Sequence, residues 1–248
     1  MNEHDWDRVA DTFEQEIFNV PANDRQGVIR STLEELGGPD RTVADLGCGV
    51  GRTLPLLSAL FGRVHAVDIS SKCLDIARAA HPQLSNIQYL HADLSHSRKG
   101  FPQAHVVLCI NTWLSGDLRT RMGIISNTCK SVKRGGHLVL VVPALGSALL
   151  SAFRQVQWGL RLGTEPSEVE QQAALRGSAL ELGLVEIDKV ATKHYLKEEL
   201  EVLLNEQGLH IERMQKLEYP WTTEFEAPPR WMREPYPWDW FVLARRVR

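Results

Sequence analysis

The sequence predicts a doubly wound α/β fold, a mostly parallel seven-stranded sheet covered by helices on both faces. From Thr42 onward, short β-branched runs alternate with amphipathic stretches, and the runs are almost continuously apolar. Strands of that kind are buried on both faces, which requires helices on either side of a parallel sheet. The second observation is a strand-to-helix junction filled with glycine at residues 43–52. In such folds this is where backbone can approach a ligand closely.

The elements follow in order. Residues 1–36 read as two helices, 5–18 and 24–36, parted by Val20-Pro21. Residues 42–46 form the first strand, 54–61 a helix and 63–67 the second strand. The helix 71–80 has Ser70 or Ser71 as its N-cap, since a serine hydroxyl accepts from a free first-turn amide. Strands follow at 86–90 and 105–110, then a helix over 117–133 ended by Gly135-Gly136. A fifth strand over 137–142 stops at Pro143, which cannot donate to a ladder. Residues 144–190 carry helical pattern around Pro166, with strand signal only at 184–190. The chain closes with a helix at 197–206, Gly208 as its stop, strands at 209–218 and 240–246, and an aromatic loop between them. The expected organisation is one domain over 1–248: helical lid 1–36, core 42–143, helical insertion 144–190, and a final αβ unit with loop over 191–248.

Charge and composition narrow the function. The formal net charge is -3, with 43% hydrophobic and 24% charged residues. No basic field advertises a nucleic-acid partner. The apolar run at 137–145 is too short to span a bilayer, and the polar, acidic N-terminus is unlike a signal peptide. A cytoplasmic protein with no membrane partner is expected. Cys48, Cys73, Cys109 and Cys129 show no CxxC spacing and read as buried free thiols. The histidines and acids show no metal-ligand spacing, so no metal is expected.

The segment Val43-Ala-Asp-Leu-Gly-Cys-Gly-Val-Gly-Arg52 carries the chemistry. Its glycines are spaced G-x-G-x-G, with an acid two residues before the first, and position 52 lacks the third glycine of a dinucleotide fingerprint. Asp45-Leu-Gly-Cys-Gly-Val-Gly resembles the S-adenosylmethionine (SAM) binding motif I of class I methyltransferases. Val64-His-Ala-Val-Asp-Ile69 resembles their second-strand motif, whose acid binds both ribose hydroxyls. Asn86-Ile-Gln-Tyr-Leu-His-Ala-Asp-Leu94 resembles the third-strand motif, with its acid facing the adenine. Val107-Leu-Cys-Ile-Asn-Thr112 resembles the fourth-strand end beside the methionine part and the substrate. Lys133-Arg-Gly-Gly-His-Leu-Val139 resembles the loop and strand that complete the set. The resemblance implies SAM as cofactor, held by Asp45, Gly47, Cys48, Gly49, Gly51, Asp68, Ile69, Asp93, Leu94 and Asn111. It extends to Trp6–Phe18, similar to an N-terminal helix laid across the SAM pocket, and to a late helix beginning near His194-Tyr195.

Methyl transfer from a sulfonium needs alignment and exclusion of water, and a base only when the nucleophile arrives protonated. His194 is the candidate base, with Tyr195 as the hydrogen-bonding alternative. Trp6, Asn111, Trp113 and Tyr195 are the candidate substrate contacts. Four of the seven tryptophans lie in the last 28 residues, which reads equally as an aromatic wall or as a loop stapled to the sheet or to a homodimer partner. The leading expectation is a methyltransferase acting on O, N or S of a small molecule. A protein or tRNA methyltransferase and a non-catalytic SAM-binding regulator are the alternatives. Asn111-Thr-Trp-Leu is not the N/D-P-P-Y motif of amide and adenine N-methyltransferases.

Overall fold

A computed structural model describes residues 2–96, 101–174 and 182–247. The central sheet has seven strands in the order β3-β2-β1-β4-β5-β9-β8. They are β1 (Gly38–Leu46), β2 (Phe61–Asp68), β3 (Ile87–His91), β4 (Ala104–Ile110), β5 (Val132–Pro143), β8 (Leu209–Glu218) and β9 (Trp238–Arg246). The first five pair in parallel, and β9 runs antiparallel between β5 and β8. The expected doubly wound, mostly parallel seven-stranded sheet is therefore present.

Two apolar cores cover its two faces. Val43, Val64, Val106, Val139 and Phe241 pack with Leu33, Leu54, Leu57 and Leu74 from α4 (Val28–Leu36), α5 (Leu54–Leu60) and α6 (Ser71–Ala80). Ala44, Val67, Val107, Leu138 and Val242 pack with Ile125, Cys129, Leu200 and Leu204 from α7 (Leu118–Ser131) and α10 (Lys197–Glu206). Alternate residues of each strand go to opposite cores, as pleating requires. All four cysteines are buried and free.

Several boundaries differ from expectation, each for a local reason. The helix expected at 5–18 is broken into α1 (Glu3–Val9), a 3₁₀ turn (Ala10–Thr12) and α2 (Phe13–Glu16). Asn2 and Asp5 cap α1 reciprocally, but the carbonyls of Phe13, Ile17 and Phe18 bond Arg52 and bend the chain over the sheet edge. The helix expected at 24–36 begins only at Val28, because Pro21 opens a separate turn, α3 (Val20–Asn23). The first strand starts four residues early, at Gly38, with a register shift before Thr42. The fifth begins at Val132 and carries Gly135-Gly136 inside it.

The insertion contains α8 (Leu145–Arg161) and α9 (Pro166–Ala173). Its expected strand at 184–190 is a hairpin of β6 (Leu184–Ile187) and β7 (Val190–Lys193). Asp188 and Lys189 both take positive φ between them, the two-residue turn that matches strand twist. Part of the helical pattern expected over 144–190 falls on 175–181, outside the described residues. Among the described residues no helix is long and apolar enough to cross a membrane.

Candidate active site

The strand order reverses at β1 and β4, and the crevice outside their carboxyl ends is where a doubly wound sheet takes its ligand. The glycine loop lies there. Gly47, Gly49 and Gly51 all have positive φ, a region that costs other residues a steric penalty. The amides of Gly47 and Cys48 both donate to the Val67 carbonyl, tying the loop to the end of β2. The Asp68 carboxylate accepts from the Gly49 amide at 2.7 Å and from the Ser70 amide at 2.8 Å. Burial pushes its pKa up, against those backbone hydrogen bonds. Burial likewise pushes Asp45 up to about 7, opposed by a short hydrogen bond from Thr53 and reinforced by Asp68.

The N-terminal segment lies across this loop. A Cβ placed on Gly49 would stand 2.6 Å from Phe13 Cζ, so the Phe13 ring closes directly over the backbone there. Arg52, the first residue after the glycines, holds the segment down. Its guanidinium donates to the carbonyls of Phe13, Ile17 and Phe18 and pairs with Glu14 at 3.0 Å. At the other end Asp7 accepts from the Ser70 hydroxyl at 2.6 Å, and Glu3 pairs with His91 at 2.9 Å. Trp6 is half-buried on α1, which packs against α6. Replacing Arg52 with alanine removes three bonds to carbonyls, so hydrogen exchange over residues 3–18 is expected to accelerate about tenfold. Unchanged exchange would show that the segment is held by something else.

The remaining residues sort into lining and core. Asp93 turns back on its own loop, accepting from the Ser95 amide at 2.7 Å and bonding the His96 ring at 2.8 Å. The Leu94 side chain is buried in the core shared with α7, leaving its backbone as the group it can offer a ligand. Ile69 is half-buried beside Asp68, and its carbonyl meets the His91 ring at 2.8 Å. Asn111 ends β4 with φ 50, and its Oδ1 is buried without a hydrogen-bond partner.

Trp113 and Tyr195 are corrections. Both are fully buried in the core on the α7 and α10 face, not on a cavity wall. The Trp113 indole donates to the Thr128 hydroxyl at 3.2 Å, and the Tyr195 hydroxyl donates to the Trp113 carbonyl at 2.6 Å. Burial pushes the Tyr195 phenol well above its ordinary pKa, so it has neither access nor acidity for proton transfer. His194 precedes α10 rather than starting it, and its ring bonds the Thr192 carbonyl at 3.1 Å. Burial lowers its pKa, against the Thr192 bond. Among the described residues no hydrogen bond links it to Asp45, Asp68 or Asn111.

Sequence reasoning missed a second group at the same sheet edge. Asp239 opens β9 opposite Pro143 at the end of β5. Its carboxyl accepts from the Tyr219 hydroxyl at 2.8 Å, and Asn111 lies close enough to act on it. Burial pushes its pKa up to about 7, opposed by the Tyr219 bond and by Asn111 and reinforced by Glu224. The signal was present as one acid among Trp238, Trp240 and Phe241, since charged residues are rarely buried without a purpose.

The comparisons agree with this geometry. Residues 43–136 match the family model of a methyltransferase domain. Over those residues the chain is similar to a methyltransferase domain, and its sheet has the Rossmann-like methyltransferase fold. No curated protein matches the chain in sequence. A SAM-dependent methyltransferase from Mesorhizobium loti superposes with a TM-score of 0.64 at 20% identity, covering 92% of this chain and 100% of that one. The N-methyltransferase NodS of Bradyrhizobium japonicum WM9, solved with S-adenosyl-L-homocysteine (SAH), gives 0.61 at 12% identity, covering 99% and 98%. Magnesium protoporphyrin IX methyltransferase from Synechocystis PCC 6803, also solved with SAH, gives 0.55 at 17% identity, covering 99% and 95%.

The residues of this site fit SAM. A carboxylate at the end of β2 can accept from two vicinal hydroxyls at once, and the positive φ and close cover of Gly49 leave room there for backbone only. Among the described residues no group of three or more His, Cys, Asp or Glu is placed to hold a metal ion.

Proposed function

We propose that the protein transfers a methyl group from SAM to a small molecule in the cytoplasm. Asp68, Asp45, the three glycines and the backbone of residues 93–94 hold the cofactor in this reading, and Asn111 stands between cofactor and acceptor. Bound there, SAM supplies a methyl group already activated on a sulfonium. The chain has to position the acceptor and exclude water. The observation that carries the small-molecule reading is the enclosure of the crevice by residues 3–18, latched through Arg52. The C-terminal loop adds to it: Trp221 stacks on Phe225, which meets Trp158 of α8 edge-on, so the loop is stapled to the insertion. A crevice covered by the chain's own N-terminal segment suits a small acceptor better than a protein or tRNA surface.

Calorimetry with SAH tests the cofactor site. Asp68→Ala is expected to weaken SAH by ~2 kcal/mol, because a carboxylate contact is lost and the Gly49 and Ser70 amides lose their acceptor. Unaltered affinity in the variant, or equal binding of NAD by the wild type, would remove the assignment.

A further inference from the structure

The acceptor end of the crevice is acidic and lacks a counter-charge. Asp239, Tyr219 and Asn111 come from the ends of β9, β8 and β4 and meet at the carboxyl edge of the sheet. The hydroxyl that donates to Asp239 and the nearby Asn111 are both neutral, and among the described residues no Lys, Arg or His forms an ion pair with it. Glu224 adds a second carboxylate close enough to act on Asp239, and its own bond is from the neutral Ser151 hydroxyl at 3.1 Å. Arg154 lies over Trp221, and its two Nη atoms bond Gln157 and the carbonyls of Arg233 and Glu234. Its Nε is buried without a partner, and the side chain forms no ion pair with Asp239 or Glu224. Phe18 of the N-terminal segment packs edge-on against Tyr219 at 5.0 Å, so the segment that covers Gly49 also covers this network.

A buried carboxylate without a cation is expensive, and a ligand that brings the missing positive charge relieves the cost. A phenolate or carboxylate acceptor would meet two like charges instead. We propose that the acceptor is a small organic amine and that Asp239 takes the proton its ammonium form must shed, a reading that rests on the methyltransferase function proposed above. In that step an N–H bond breaks, its electron pair stays on nitrogen, and an O–H bond forms on the Asp239 carboxyl. The freed pair on nitrogen is what receives the methyl group. Asp239 returns its proton to solvent after the product leaves. A carboxyl raised to about 7 suits this exchange, since it can take and release a proton near neutrality. Tyr219 and Asn111 are positioning residues that hold the carboxyl in place, and the aromatic faces beside it favour a cation over a neutral guest.

The test is binding by calorimetry to the SAH-loaded full chain, with phenethylamine, phenethyl alcohol and 3-phenylpropionate as probes of matched size. The amine is expected to bind at least tenfold more tightly than either other probe. Asp239→Asn is expected to weaken it at least tenfold while leaving SAH affinity unchanged. Glu224→Gln is expected to weaken the amine several-fold and serves if Asp239→Asn fails to fold. Binding of the alcohol or acid as tightly as the amine, absence of amine binding, or unchanged amine affinity in either folded variant would overturn the proposal. Loss of amine binding in His194→Ala but not in Asp239→Asn would also overturn it. Failure of the wild type to bind SAH would instead remove the cofactor assignment, so the two failures are distinct.

Discussion

Replacing Trp113 by alanine is expected to cost ~3–5 kcal/mol of folding stability, the range for deleting a fully buried aromatic side chain. The side chain is 0% exposed and packs between Tyr195 and α7, with ring centroids of Trp113 and Tyr195 6.5 Å apart. The variant also leaves the Thr128 hydroxyl without its indole donor. The cavity would loosen the junction that holds the end of β4 against the segment leading into α10, where the Tyr195 hydroxyl reaches the Trp113 carbonyl. Urea denaturation measures the loss directly. A variant as stable as the wild type but with a raised KM for the acceptor would return Trp113 to the pocket wall.

Gly49→Val is expected to abolish SAH binding while the sheet remains folded. Gly49 has φ 54, where a β-branched residue pays a steric cost of ~1–2 kcal/mol before any contact is counted. The new Cβ would then collide with Phe13, and the rest of the side chain would occupy the space between loop and lid. Relief requires the lid to lift, which breaks the cluster of Arg52 bonds, or the loop to shift, which pulls Gly49 from Asp68. Either response removes the cofactor site. Calorimetry and hydrogen exchange over residues 3–18 check both parts; SAH affinity within tenfold of the wild type would show that the loop is not the cofactor cradle.

The fold was largely legible because parallel strands buried on both faces leave a continuous apolar signature. β1, β2, β4 and β5 each carry one, and α6, α10 and β8 have the bounds expected from their caps and stops. Acid-glycine spacing at residues 45–51 located the glycine loop for a local reason, since positive φ and close backbone approach are demands on single residues. The broken N-terminal helix was not legible. Its pattern is helical throughout, and the break depends on carbonyls captured by Arg52, 34 to 39 residues away in the chain.

The site divides the same way. The sequence by itself determined the doubly wound sheet, the glycine loop after β1, and the acid that ends β2, because periodicity and backbone constraints act over a few residues. Tertiary structure alone decided which side chains gather at the carboxyl edge of the sheet. Trp113 lies two residues beyond Asn111, yet pleating and the turn after β4 send its ring to the core under α7, on the face away from Tyr219. Asp239 is 128 residues from Asn111, with no motif to join them. They meet because β9 inserts antiparallel beside β5 and so begins where the parallel strands end, which only strand pairing across the whole sheet can bring about.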